Sequence, residues 1–260
     1  MTSIPPWGIV HVPHDSKDIP GEVRSQFVLN ESALDREILK MTDHLTYALF
    51  AEGLPRAQVV RSAVSRLVVD VERFERDQDE VMSARGMGVI YMKTHEGAQL
   101  RRDLSLEERN ELLNKWYRPH HQLLTDSVDF ALAQSGQAIV IDAHSFPKLA
   151  LPYEMNQGGD RPEICIGSDD FHTPGQLVDS LVCQFEKAGL TTGVNDPFSG
   201  ALVPAKHYRK DKRVAAVMIE VRRDVYLNES TGEPTSNFSQ ISKIIQSCLE
   251  LSILELENSR

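Results

Sequence analysis

Four short stretches of the chain combine residue types that can do chemistry. His11-Val-Pro-His14-Asp15 follows an apolar run. An imidazole at a strand-to-loop turn can project into a cleft and bind a metal such as zinc; the plain alternative is a solvated loop histidine. Asp142-Ala-His144-Ser145 ends the most apolar run of the chain. Strand alternation points Asp142 and His144 to one side, so one can ligate a metal while the other orients it. A hydrogen-bonded structural pair fits as well, because buried polar groups find partners. Ser145 beside His144 also raises a serine-hydrolase reading, but the G-x-S-x-G nucleophile elbow is missing.

Ser65-Arg66-Leu-Val-Val-Asp70-Val-Glu72-Arg73 sets two arginines about a short apolar segment. The planar guanidinium fork suits a carboxylate or a developing oxyanion; paired surface ions would read the same way. Glu220 interrupts the apolar run Val-Met-Ile-Glu-Val. A glutamate there is either a general base near an activated water or one half of a buried salt bridge.

Such residues must be positioned by regular elements. Short apolar runs alternate with helical patterns, which predicts an α/β fold with sites at the carboxyl ends of strands. Strands are expected at 7–12, 58–60, 66–70, 137–143, 164–166 and 214–221. The run QAIVIDA at 137–143 has the continuous apolar character of a central strand. Ser32 is a candidate N-cap for a helix carrying Leu34, Ile38, Met41, Leu45, Ala48 and Leu49, ended by Gly53 and Pro55. Residues 72–88 read as a long loop. Ser105 opens a helix that Pro119 kinks or restarts and that runs to about Gln134. Further helices are expected at 176–188 and 236–256, the latter with its apolar stripe facing the core. Nothing repeats and no linker stands out, so residues 1–260 are expected to form one domain.

The formal net charge of −10, with no basic stripe, argues against nucleic-acid binding, whose phosphates demand one. Cys165, Cys183 and Cys248 lie far apart, an odd count without a C-x-x-C pair, which fits a reducing compartment. No apolar stretch is long enough to span a membrane, and no basic start precedes an apolar run. The expectation is a cytoplasmic protein acting on a small molecule, without membrane or nucleic-acid partners.

In chain order the segments become specific. VPHDSKDIP at 12–20, TD at 42–43, SRLVVDVER at 65–73, YRPHH at 117–121, IDAHSF at 141–146, ICIGSD at 164–169, NDPFSG at 195–200 and IEVRRDVY at 219–226 resemble the N-formylglutamate amidohydrolase family. The likeness runs from about Trp7 to Glu229. It implies a three-layer α/β/α domain with a central mixed sheet, like the phosphorylase/hydrolase-like zinc carboxypeptidases and aspartoacylase-type deacylases. It implies a zinc-dependent hydrolysis of the N-formyl or other N-acyl amide of an amino acid, with other divalent metals acceptable to the same ligands.

The resemblance also implies roles. His14, Asp43 and His144 would hold the metal, and Glu220 would be the general base and proton shuttle. Arg66 would stabilise the oxyanion. Arg73 would hold the substrate carboxylate, with Asp70 and Asn195 at the substrate site. His121 and Asp142 would stand in the outer shell. Two departures bear on this. The family often reads Asp-x-Asn-Arg where this chain has Asp70-Val-Glu72-Arg73, which places a negative charge beside the anion-binding arginine. It commonly reads Pro-His-Ser-Gly where this chain has Pro13-His14-Asp15-Ser16. A non-catalytic or differently specific binding protein on the same fold is the alternative, since fold does not fix function.

Overall fold

The computed structural model describes residues 4–258. Its centre is a mixed sheet of six strands: β1 (Gly8–Val12), β2 (Val59–Arg61), β3 (Ala138–Phe146), β4 (Ile164–Gly167), β5 (Thr192–Val194) and β6 (Val214–Arg222), in the order β2-β1-β3-β6-β4-β5. β2, β1, β3 and β6 run parallel; β4 pairs antiparallel with β6 and parallel with β5. β3 is buried along its whole length, as its unbroken apolar sequence requires.

Seven helices surround the sheet among the described residues: α1 (Gly21–Arg24), α2 (Glu31–Met41), α3 (Thr46–Phe50), α4 (Leu106–Leu112), α5 (Arg118–Ser135), α6 (Gly175–Lys187) and α7 (Phe238–Asn258). α3, α6 and α7 pack together, while α5 packs against β1, β2 and β3. Ile241, Ile245, Leu249 and Ile253 of α7 are all in the core, as the sequence stripe predicts. The three cysteines are free. No described helix is long and apolar enough to cross a membrane.

Two local expectations fail instructively, and the expected restart at Pro119 holds. The helix predicted to run unbroken past Met41 is capped by Asn30, whose side chain accepts from Ala33 N, and stops at Met41. Residues 42–45 form a break, with Leu45 in the left-handed region at φ 64°, before α3 begins. That break lifts Asp43 out of helical geometry. Residues 66–70 are not a strand. Val68 N bonds back to Ser65 O, and Leu67, Val68, Val69 and Val71 are buried on all sides in a second apolar cluster, which mimics a strand in composition. Before Pro119 the chain forms a π-helical turn, Leu113–Tyr117, which lets the proline sit in the first turn of α5, where its missing N–H costs little.

The second cluster gathers residues from Val23 to Tyr117. Its keystone is Arg101, fully buried across the Phe27 ring. Arg101 donates to Gln26 Oε1, to Leu67 O at 2.7 Å and to Val68 O at 3.2 Å. Burial lowers its pKa to about 10. It thereby clamps the turn that carries Arg66 and Asp70. Arg101→Met keeps much of the apolar bulk but orphans both carbonyls, and is expected to cost about 1–3 kcal/mol of stability. Urea unfolding reads this as a lower midpoint at an unchanged m-value; an unchanged midpoint would show that the guanidinium does not hold the turn.

Candidate active site

Register builds the site. Pairing of β3 with β6 sets His144 opposite Glu220, and pairing of β1 with β3 sets His11 opposite Asp142. Side chains opposite one another share a face, and so do positions two apart along a strand. His11, Asp142, His144 and Glu220 therefore rise together from the carboxyl ends of three adjacent parallel strands. His14 follows Pro13 just beyond β1, and its carbonyl accepts from Asp43 N at 2.9 Å, tying the break after α2 to the same place.

His14, Asp43 and His144 come together with their ligating atoms within 4.8 Å of one another, all buried. His14 donates from Nε2 to Asp70 Oδ1 at 2.8 Å, and His144 from Nε2 to Asp142 Oδ1 at 3.0 Å. Ionised carboxylates only accept, so both rings carry the proton on Nε2 and turn Nδ1 inward. The two Nδ1 atoms face the same oxygen, Asp43 Oδ2, at 3.6 Å and 3.2 Å. His14 Nδ1 is buried without a hydrogen-bond partner. Two imidazoles and a carboxylate are a donor set that suits zinc. Each ring is held from behind by a carboxylate, the arrangement that orients metal-binding histidines.

Charge in the cluster is steered by its neighbours. Burial opposes the Asp43 anion, but the adjacent His14 and His144 imidazoles and the charge of Arg223 hold its carboxyl well below the usual range. Arg223 donates from Nη2 to Asp43 Oδ1 at 2.9 Å and from Nη1 to Lys40 O at 2.7 Å. Glu220 stands beside them, 8% exposed, with Oε2 lacking any partner. Burial, reinforced by the Asp43 charge, pushes its pKa up to about 8 against the pull of His144, Arg223 and Arg66.

Asp70 is a second hub. It accepts from Arg66 Nη2 at 2.8 Å, from the Tyr91 hydroxyl, from His14 and from Glu72 N. It is fully buried, and despite burial the Arg66 charge and His14 hold its pKa well below the usual range. Arg73 sits 3.7 Å from both Asp70 and Glu80, and its Nε is unpartnered. Arg73 also lines a cleft of ≈ 500 Å³ with Glu72, Tyr117, His121, Leu202 and Lys206.

Behind His144 a chain of polar contacts continues. Asp142 Oδ1 also accepts from His11 Nδ1 at 2.9 Å, and Asp142 Oδ2 from Leu202 N at 3.1 Å. Glu72 Oε1 lies 3.1 Å from the same His11 Nδ1. Burial opposes charge on His11, but Asp142 and Glu72 outweigh it and raise its pKa to about 9. His11 Nε2 is 2.7 Å from His120 Nε2, and burial lowers the His120 pKa to about 2, so His11 is the donor.

Of the residues singled out in the sequence, the structure brings His14, Asp43, His144, Glu220, Arg66 and Asp70 together and sets Arg73 at the adjoining cleft. Asp142 stands behind His144, where an outer-shell residue belongs. Asn195 is held elsewhere: its side chain bonds Ser168 N and Oγ, and no hydrogen bond links it to the cluster. His120 rather than His121 reaches into the network, because neighbouring helical residues point apart. His44 turns away and donates to Leu39 O. His172 and His207 are buried and partnered by Val214 O and Asp129. Ser145 Oγ accepts from Arg223 Nε at 3.3 Å, and no imidazole bonds it among the described residues, which removes the basis for a serine nucleophile. Sequence reasoning missed Arg223 and Tyr91; an arginine directly after a buried strand was the available signal for the first.

Comparison with known proteins gives the family and the fold. The family model described as N-formylglutamate amidohydrolase matches residues 8–227. N-formylglutamate deformylase of Pseudomonas putida is 28% identical over 232 residues, covering 85% of this chain and 82% of that one. The enzyme of the same name from Pseudomonas aeruginosa is 25% identical over 233 residues, with the same coverage of both chains. The crystal structure of N-formylglutamate amidohydrolase from Ralstonia eutropha superposes with a TM-score of 0.83 at 22% identity, covering 98% of this chain and 95% of that one. A gene product of Agrobacterium tumefaciens superposes at 0.70 and 21% identity, covering 96% and 92%. The two structures establish the α/β fold. The family match spans most of the chain, and the protein belongs to the N-formylglutamate amidohydrolase family.

Proposed function

We propose that the chain is a zinc-dependent amidohydrolase that releases formate from N-formyl-L-glutamate or a close N-acyl amino acid. The observation that carries this reading is the pair of imidazole Nδ1 atoms converging on Asp43 Oδ2, with the unpartnered Glu220 carboxylate beside them. The names of the relatives supply the substrate, and the kinship in fold with zinc carboxypeptidases belongs to the same reading. A cytoplasmic setting fits the three free cysteines.

The donor set suits zinc, which takes imidazole and carboxylate ligands and leaves one position open in catalytic sites. His14, Asp43 and His144 would hold it, and a bound zinc would polarise the amide carbonyl and lower the pKa of water. The remaining work falls to the chain's own residues. Glu220 accepts a proton from the attacking water and delivers it to the leaving nitrogen as the C–N bond breaks, so that formate and a free amine result. Arg66, fixed by Asp70, offers its guanidinium to the oxyanion that develops on the carbonyl oxygen. Arg73, which lines the cleft, takes the substrate carboxylate. Arg223 keeps Asp43 ionised and oriented.

Three outcomes test the reading. Exhaustive chelation should abolish release of glutamate from N-formyl-L-glutamate, and added zinc should restore it; activity that survives chelation overturns metal dependence. Glu220→Gln should lower kcat by about 10²–10⁴-fold while zinc content, read by elemental analysis, stays the same. A fully active variant would remove Glu220 from the proton path. Arg73→Met should raise KM roughly 10–100-fold, the worth of one charge-assisted hydrogen bond, with kcat little changed, and should discriminate less against substrates that lack the carboxylate.

A further inference from the structure

A second set of metal-ligating atoms stands on the other side of His144. His11 Nδ1, Asp142 Oδ1 and Glu72 Oε1 lie within 4.8 Å of one another. The nitrogen is 2.9 Å from the aspartate and 3.1 Å from the glutamate. In a tetrahedral zinc site with bonds of 2.0–2.1 Å, neighbouring ligand atoms are about 3.3 Å apart, so small outward shifts would make room for an ion.

The groups behind the ligands are also set for it. His11 Nε2 meets His120 Nε2 at 2.7 Å. One proton joins those two nitrogens, and when His11 supplies it, Nδ1 is free to present a lone pair. Asp142 Oδ2 is anchored by Leu202 N, which fixes the other oxygen toward His11. Glu72 Oε1 is buried yet has no hydrogen-bond partner, although it faces His11. A single Nδ1–H serves one acceptor well, and here two carboxylates compete for it. No lysine or arginine pairs with either carboxylate among the described residues. Glu72 lines the cleft shared with Arg73 and His121, which provides both a route in and an open coordination position.

We propose that His11, Glu72 and Asp142 form a second divalent-cation site, distinct from the one at His14, Asp43 and His144 and joined to it through the His144–Asp142 hydrogen bond. One imidazole and two carboxylates suit zinc, cobalt, manganese or ferrous iron. The site does not depend on the hydrolase reading, because none of its three ligating atoms belongs to the first set.

The full-length protein, stripped with chelator, is titrated with zinc chloride by calorimetry, and zinc per chain is counted after gel filtration. Wild type should bind two zinc ions per chain. His11→Asn and Glu72→Gln should each bind one, and His14→Asn should also bind one. Glu72 is the safer variant for folding because its side chain is partly exposed at 17%, and thermal melts verify each variant. His120→Phe, which removes only the outer partner, should weaken the second site about 10–100-fold, the usual effect of losing such a group, and leave the first unchanged. One zinc per chain in wild type, lost in His14→Asn and kept in Glu72→Gln, overturns the second site and leaves the hydrolase reading intact. One zinc lost in Glu72→Gln but kept in His14→Asn supports the second site and overturns the first. Two zinc ions retained in both His11→Asn and Glu72→Gln would place the second ion elsewhere and overturn the assignment.

Discussion

Asp142 accepts a hydrogen bond through one oxygen from each of two imidazoles, His11 and His144, and much of the site depends on that carboxylate. It is 1% exposed in the middle of the sheet. A lone carboxylate there would be prohibitively costly, so its own strand and a neighbouring one must supply donors. They do so through register: His11 is its lateral neighbour on β1, and His144 is two residues on along β3. Remove the charge and both rings lose the acceptor that fixes their orientation. A slip of one residue between β1 and β3 would send His11 to the opposite face.

The same logic holds Asp70 outside the sheet. It has no strand to position it, so a different device is used. Arg101 pins the carbonyls of Leu67 and Val68 from within the second apolar cluster, and the buried valines around them stop the turn from moving. Arg66, Tyr91 and His14 then converge on a carboxylate whose backbone is already fixed. The orientation of His14 is thus set by an irregular wing, while that of His144 is set by the sheet. Asp43 closes the cluster from the break after α2, where an interrupted helix frees a backbone N–H to reach His14 O.

How much of this the sequence reveals depends on range. The strands around QAIVIDA and Val214–Arg222 are legible because burial on both faces demands an apolar run, and Asp142, His144 and Glu220 are conspicuous as polar exceptions within or at the end of those runs. Asp43 becomes a candidate only through the resemblance of ordered segments. The break at residues 42–45 is invisible to periodicity, since Leu45, Ala48 and Leu49 keep helical spacing across it. Residues 66–70 mislead for the converse reason: a turn buried on every side has the composition of a strand. Arg101, Arg223 and Tyr91 act across long stretches of chain, and no local pattern marks a residue whose partners are so distant. Glu72 was legible as a departure beside Arg73, but its contact with His11 follows from the fold alone.

Charge balance connects these observations. Asp43 and Asp70 each have a guanidinium at ion-pair distance, Arg223 at 2.9 Å and Arg66 at 2.8 Å. Among the described residues Asp142 and Glu220 have none, and neither has Glu72. Burying carboxylates without cationic partners destabilises a fold, and apolar residues of similar size would be tolerated there at least as well. Their presence is therefore not explained by stability. The unmatched negative charge is concentrated on either side of His144, next to the inward-facing imidazole nitrogens. Nearby histidines carry part of the missing positive charge: against the opposing effect of burial, Asp142 and Glu72 raise the His11 pKa to about 9, and Asp142 and Asp43 raise that of His144 well above its usual range. Glu220 Oε2 accepts no hydrogen bond from any of them, so it is the carboxylate that the protein's own groups leave least compensated.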